Sequence, residues 1–330
     1  MLPRVTPIVE TADWAASKTK SINVRLTGYV TQIDVAVDLS VTAATSTATT
    51  TTDDPYKAMS ALKFTASNAH DWISFTDGRQ AYWLSYIKSQ GNATVGSLPS
   101  AGSSGTVTLQ FSVHPGNYFG KTDDLTRVIP LAGKTNVQFQ VTWGAASAIG
   151  TGYTITDASL SIVVHRMILK EGESEADAFA PAKYMLVPRY IPVTYSIDGT
   201  YSNYTFIKNI PTGAYIRDVF LMVVDSSDVR SNSDVTKIQV SDNKGNTPVK
   251  WDSWTKLVNF IRSRFYLPSA PAGIGLLQFR DIEGKDYGLD MTAASEGDWK
   301  LEMSTGASGG KIYCIYEGAD MVNINPTVVG

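Results

Sequence analysis

Three histidines, His70, His114 and His165, are the side chains best suited to metal ligation or general-base chemistry near neutral pH. They stand far apart in sequence, no pair has metal-ligand spacing, and none adjoins a cysteine, so a zinc or iron site is not expected. His70-Asp71 precedes an apolar run, His114 sits in a Pro-Gly turn and His165 ends a strand, positions that suit surface or rim residues. The single cysteine, Cys314, lies in the alternating run Lys311-Ile312-Tyr313-Cys314-Ile315-Tyr316, which reads as a small core-facing strand residue and rules out a disulfide within the chain. No Gly-x-Ser-x-Gly turn is present to carry a serine nucleophile. Asp123-Asp124, Asp281 with Glu283, and Asp286 with Asp290 could supply the paired carboxylates of glycoside hydrolysis, but solvated turns explain them better. The stretch from Asp281 to Asp286 lacks the alternating acidic frame of a calcium loop, and no strand-glycine-helix segment could cradle a phosphate. Catalytic, cofactor-binding and metal-binding residues are therefore all expected to be none, and the protein is not expected to be an enzyme.

The composition narrows the classes further. With 330 residues, 43% hydrophobic and 18% charged, the chain can enclose two cores of about 150 residues each. Its 28 basic and 31 acidic residues leave a net charge of −3, too weak a field to gather nucleic acid, so direct sequence-specific nucleic-acid binding is not expected. No apolar stretch approaches the ~20 residues of a membrane span. Met1-Leu2-Pro3-Arg4 lacks the apolar core of a secretory signal, so synthesis in a cytosol is expected, with release by assembly or lysis. Asn92-Ala93-Thr94 and Asn203-Tyr204-Thr205 are glycosylation triplets that a cytosolic chain would leave bare. Seven tryptophans and sixteen tyrosines could stack on sugars or fill interfaces, whereas Trp72, Trp83, Trp251 and Trp254 are expected to plug the ends of barrels beside helices.

The elements that carry these residues occur twice. Leu62-Lys63-Phe64-Thr65-Ala66-Ser67-Asn68 is answered by Thr236-Lys237-Ile238-Gln239-Val240-Ser241-Asp242, a displacement of 174 residues (237 − 63). Tyr86-Ile87-Lys88-Ser89 falls on Phe260-Ile261-Arg262-Ser263 at the same displacement. Gly105, Leu109, Gln110, Phe111, Gly116 and Gly120 then align with Gly273, Leu277, Gln278, Phe279, Gly284 and Gly288 at 168 (273 − 105), with Phe119 opposite Tyr287. A period near 170 is the size of a domain, so the chain reads as a tandem duplication.

Within each copy the pattern has period two. Ile22, Val24 and Leu26, then Ile33, Val35, Val37, Leu39 and Val41, alternate with polar or small residues, as half-buried strands do. Further strands are expected near 62–66, 107–111, 136–142 and 159–164, then at 204–207, 216–224, 235–240, 276–279, 299–303 and 311–316. Tyr82, Trp83, Tyr86 and Ile87, and later Leu257, Val258, Ile261 and Phe265, form helical stripes. Residues 1–20, with Pro3 and Pro7, read as an extended N-terminal arm; 21–180 and 181–330 read as two domains, divided after the acidic stretch 171–177. The expected fold is all-β: two tandem eight-stranded antiparallel jelly-roll sandwiches, each with a short helix.

Such a tandem, with a helix after the strand of the Leu62-to-Ala66 or Val235-to-Val240 kind, resembles the double jelly-roll major capsid proteins of tailless icosahedral viruses, the lineage of tectiviruses, turreted archaeal viruses, related bacteriophages and adenovirus hexons. Residues Ile210 to Arg217 followed by Val219 to Val224 look like the opening strands of such a barrel, and Gly310-Lys311-Ile312-Tyr313 like its last. The resemblance implies a structural major capsid protein whose homotrimers form pseudo-hexagonal capsomers that tile a virion shell. It implies contacts with neighbouring capsomers, with minor capsid and vertex proteins, and with an internal membrane through the N-terminal arm. The alternative is an exported or phage-borne carbohydrate-binding or carbohydrate-active double jelly-roll protein, which requires a cleft with aromatic platforms and a carboxylate pair. A phage tail or receptor-binding component would also be β-rich, but it explains the duplication less well.

Overall fold

In a computed structural model of the chain, described over residues 2–10, 14–46, 49, 53–69, 71–115, 127–178, 184–279 and 288–323, four antiparallel sheets carry the core. The chain divides into two compact units, Met1–Pro188 with Met321–Gly330, and Arg189–Asp320.

The first part of the chain contributes β1 (Leu2–Glu10), β2 (Thr19–Asn23), β3 (Tyr29–Ala43), β4 (Met59–Thr65), β5 (Ile73–Phe75), α1 (Gly78–Lys88), β6 (Thr94–Val95), β7 (Ser104–Val113), β8 (Ile129–Pro130), β9 (Gln138–Trp143), β10 (Tyr153–Ile168) and the single turn α2 (Glu175–Ala178). One sheet runs β1-β10-β3-β7-β6 with β8 also on β3, and the other β2-β9-β4-β5. The later part contributes β11 (Tyr184–Ser196), β12 (Tyr201–Asn209), β13 (Tyr215–Val224), β14 (Val235–Asp242), β15 (Val249–Trp251), α3 (Trp254–Arg264), β16 (Ile274–Gln278), β17 (Leu289–Asp290), β18 (Trp299–Thr305) and β19 (Lys311–Asn323). Its sheets run β11-β19-β13-β16, with β17 on β13, and β12-β18-β14-β15. Without the flanking strands β1 and β11 and the short β6, each set is eight strands in two sheets, the jelly-roll plan.

The alternation read from β3 has the expected cause. Ile33, Val35, Val37, Leu39 and Val41 are all buried, while Asp34 and Asp38 take hydrogen bonds on the opposite face. Burying each such aliphatic side chain contributes about 1.5–3 kcal/mol relative to leaving it in water. β13 differs, since Val219 to Val224 are all at 0% exposure, so this strand is covered on both faces and its sequence is continuously apolar.

Strand registers confirm the duplication and correct its alignment. Leu62 pairs with Phe75 as Ile238 pairs with Trp251, a displacement of 176 (238 − 62), and the bulge between Met59 and Ala61 recurs between Val235 and Lys237. Ile33 pairs with Val113 as Val219 pairs with Leu277, which places the third block at 164 (277 − 113). The sequence alignment is thus off by two residues in its first two segments and by four in the third. Both errors are even, and because side chains in strands alternate with period two, neither strand segment exchanges an inward for an outward residue.

Two other expectations change. Residues 2–10 were expected as an arm without packing, but they pair along β10 from Leu2 opposite Ile168 to Glu10 opposite Leu160. Prolines 3 and 7 are tolerated because this is an edge strand, where a missing N–H breaks no interior ladder. The run from Ile210 to Val224, expected to open the second barrel, is preceded by β11 and β12, and β13 lies inside its sheet between β19 and β16. No helix among the described residues is long and apolar enough to cross a membrane.

Candidate functional site

His70, Asp123, Asp124, Asp281, Glu283 and Asp286 lie outside the described residues. Asp290 closes a turn, accepting from the Thr292 backbone N–H at 3.0 Å and its hydroxyl at 2.6 Å. Cys314 is buried on β19, and burial pushes its thiol far above the ordinary range, so no reactive thiolate forms. No three His, Cys, Asp or Glu side chains gather as a metal site among the described residues.

Sequence distance hides one association. His165, on β10, lies close enough to act on His114, just past β7, because both strands flank β3. At this place the Asp34 carboxylate accepts from Gln32 Nε2 at 2.5 Å and Ser112 Oγ at 2.6 Å, and its second oxygen lies 2.6 Å from His165 Nε2. The Ser112 backbone N–H donates to Ser85 Oγ of α1 at 2.9 Å. Burial, then the positive Lys88, then His165, hold the His114 imidazole well below its ordinary pKa. Asp34, Gln32, Ser85 and Ser112, but neither histidine, line a cavity of about 450 Å³ together with Asn92, Gln110 and Ser161 among others.

The geometry does not make a nucleophile. Ser112 gives its proton to Asp34 and not to the imidazole, so His165 is not placed to activate it. Asp34 is the shared acceptor of a knot that ties β3, β7 and β10 together. The cavity has one carboxylate, and its aromatic wall, Phe111, is buried in the core, so neither a carboxylate pair nor an exposed stacking ring is present there.

A second group was not visible in the sequence. Asp218 and Glu317 are register partners beside a bulge in β13, each at 1% exposure, with Tyr190 donating to Glu317 at 3.5 Å and Arg217 buried next in the chain. The bulge matches the one between His165 and Arg166 in the first unit, so a polar cluster occupies the same point of the plan twice. Two acids there could suggest hydrolysis, but their burial keeps them from solvent and so from a substrate.

Of the four tryptophans expected to plug the barrels, Trp72, Trp83 and Trp254 are buried. Trp251 is only partly covered, its ring 5.1 Å from that of Phe260 on α3. Helix α1 is buried almost all round. The segment 53–58 lies over it, with the Asp53 carboxylate accepting the Trp83 indole N–H at 2.9 Å and the Tyr56 ring stacked on Tyr82 at 4.4 Å.

The sheets, the repeated registers and the recurring bulges define a double jelly-roll protein. The comparisons agree with that class. The solved structure of the STIV MCP matches with a TM-score of 0.76 at 16% identity, over 100% of both chains. The major capsid protein P2 of bacteriophage PM2 matches at 0.56 with 12% identity, over 97% of this chain and 98% of that one. The PBCV-1 virus capsid matches at 0.59 with 10% identity, over 97% and 94%. No protein-family model and no curated protein matches the chain. The chain has the double jelly-roll fold of viral major capsid proteins.

Proposed function

We propose that this protein is a major capsid protein, a structural subunit whose homotrimers form pseudo-hexagonal capsomers that tile an icosahedral virion shell. The observation that carries the reading is one jelly-roll plan built twice in a single chain, with matching strand pairs, matching bulges and a helix at the same point of each copy. A chain with two like units presents two like sets of edges, so three copies offer six, and contacts between unlike patches close such copies into a ring. The likeness to viral capsid proteins over nearly the whole chain supports the same reading.

The protein then has no catalytic role. The Asp34 carboxylate serves cohesion between strands, and Asp218 with Glu317 serves the interior. Its partners are further copies of itself, neighbouring capsomers, and minor capsid and vertex proteins, and its location is the virion. Residues 2–10 act in this reading as an edge strand, not as a membrane-reaching arm. The carbohydrate alternative is disfavoured by the cavity beside Asp34, which offers one carboxylate and no exposed ring. Size-exclusion chromatography with light scattering, followed by negative-stain imaging, tests the proposal. Stable trimers of six-sided outline are expected, and a persistent monomer retained on a glycan column would overturn it.

A further inference from the structure

The two long helices occupy the same point of the duplicated plan, yet one is sheathed and the other is bare. α1 and α3 are both 11 residues long and are displaced by 176 (254 − 78), the displacement of the strands before them. α1 is covered by the segment 53–58. α3 buries the stripe Trp254, Leu257, Val258 and Ile261, but its outer face leaves Lys256, Asn259, Phe260, Arg262 and Arg264 exposed.

That outer face is aromatic and basic. Phe260 is 43% exposed and Tyr266, just past the helix, 79% exposed. Tyr266 holds φ at +54°, and the Leu267 N–H reaches back to the Arg262 carbonyl at 2.9 Å, a helix end that usually takes glycine. The first unit has the same left-handed position at Gln90, φ +57°, so the backbone comes from the shared plan and the exposed ring is particular to α3. Lys250 and Lys237 extend the positive charge from β15 and β14. Asp252 lies among them; its carboxyl is held below the usual range by the Tyr204 hydroxyl first and then by Lys250, Lys237 and Lys256. Among the described residues, one acid against Lys237, Lys250, Lys256 and Arg262 leaves a positive surplus.

The complement is in the same sequence. Residues 171–177 carry Glu171, Glu173, Glu175 and Asp177; Glu171, Glu175 and Asp177 are exposed, and the neutral donors that Glu173, Glu175 and Asp177 accept from, the Lys170 N–H, the Tyr29 hydroxyl and the Ser174 hydroxyl, leave their charge in place. In α1 the covering segment reaches the helix with a carboxylate, Asp53 accepting the Trp83 indole N–H at 2.9 Å, while Asp54 pairs with Lys57 inside the segment at 3.0 Å. We propose that the outer face of α3 docks a second copy of this chain through that copy's acidic stretch, residues 171–177. The proposal rests on the capsomer reading and specifies one of its contacts. The two patches differ, so the contact is heterologous and can close a ring. Phe260 and Tyr266 supply apolar area, and the charges set register and encounter rate.

Charge reversal on either side tests this, with light scattering across a dilution series and circular dichroism to verify folding. Lys256→Glu with Arg262→Glu, or Glu171→Lys with Glu173→Lys, is expected to raise the concentration of half-dissociation by about tenfold or more, since each pair changes from weak attraction to weak repulsion. Mixing the two reversed variants is expected to restore association to within about threefold of wild type, which a merely misfolded variant would not do. Unchanged trimers in the α3 variant, or loss without rescue, would overturn the contact while leaving the capsomer reading intact. So would saturable binding of a single-stranded oligonucleotide by wild type that the α3 variant loses with its trimers unchanged. A monomeric wild type would instead remove the capsomer reading and the contact with it.

Discussion

Replacing Tyr56 by phenylalanine isolates one hydroxyl at the cover of α1. The Tyr56 ring is fully buried, stacks on Tyr82 at 4.4 Å and meets Phe111 edge-on at 5.9 Å, and phenylalanine keeps all of that area. Only the hydroxyl changes, and it has one proton shared between the Thr94 carbonyl at 2.6 Å and the Gln110 carbonyl at 3.0 Å. A neutral hydrogen bond contributes about 0.5–1.5 kcal/mol net, and an acceptor left dry costs about 1–3 kcal/mol, so Tyr56→Phe is expected to destabilise by about 2 kcal/mol. Urea unfolding at pH 8 measures this as a lower midpoint at unchanged slope. Alkali supplies a second reading. Burial first, then Tyr82, raise the Tyr56 phenol far above its ordinary value of 10.0, so the folded protein keeps the proton while the unfolded chain loses it above pH 10. The stabilisation is thus fully present below pH 10 and is lost as pH rises further. The gap between wild type and Tyr56→Phe should narrow above pH 10 by up to about 1.4 kcal/mol per pH unit. A gap under about 0.5 kcal/mol at pH 8, or curves that stay parallel to pH 11.5, would refute the assignment of Tyr56 as a buried donor sealing α1.

Other outcomes follow from single sites. His114 is depressed in the folded protein by burial and then by Lys88 and His165, the latter in contact with Asp34, so the unfolded chain takes up that proton first and stability should fall below pH 6.5 by up to about 1.4 kcal/mol per unit; His114→Asn should flatten that limb of the urea-midpoint profile. Gly28 has φ +98°, and an added Cβ would stand 2.4 Å from the Met167 carbonyl oxygen, so Gly28→Ala should cost roughly 2–4 kcal/mol in thermal or urea unfolding. Tyr266→Gly should remove left-handed strain of about 1–2 kcal/mol against about 0.4–1 kcal/mol of added chain entropy, leaving the folded subunit slightly more stable while weakening its trimer in light scattering.

Much of the fold was legible because strand burial writes itself into period two. Ile33 to Val41 and Val137 to Val141 alternate as a sheet with one face in a core must, and the structure places strands there and on Lys311 to Tyr316, where alternation stops at Cys314 because Ile315 and Tyr316 are both buried. The inward stripe of α3 was equally clear, since Leu257, Val258, Ile261 and Phe265 are all buried. Less was legible of the candidate sites. His114 and His165 are 51 residues apart in sequence (165 − 114), and only the order β10-β3-β7 brings His165 near enough to act on His114. Asp218 and Glu317 are 99 apart (317 − 218), and no local pattern marks them as register partners.

By itself the sequence determined that the chain is two copies of one β-rich plan, because alternation and repetition are local properties that survive any loop change. Tertiary structure decided the register of that repeat, since an alignment by residue type tolerates an even slip that hydrogen-bonded ladders do not. It also decided that residues 2–10 form an edge strand, because pairing with β10 depends on partners 150 (160 − 10) to 166 (168 − 2) residues away. Above all it decided which helix is sheathed and which is bare: α1 is buried almost all round beneath the segment folded back over it, whereas α3 buries one stripe and its aromatic and basic face meets solvent.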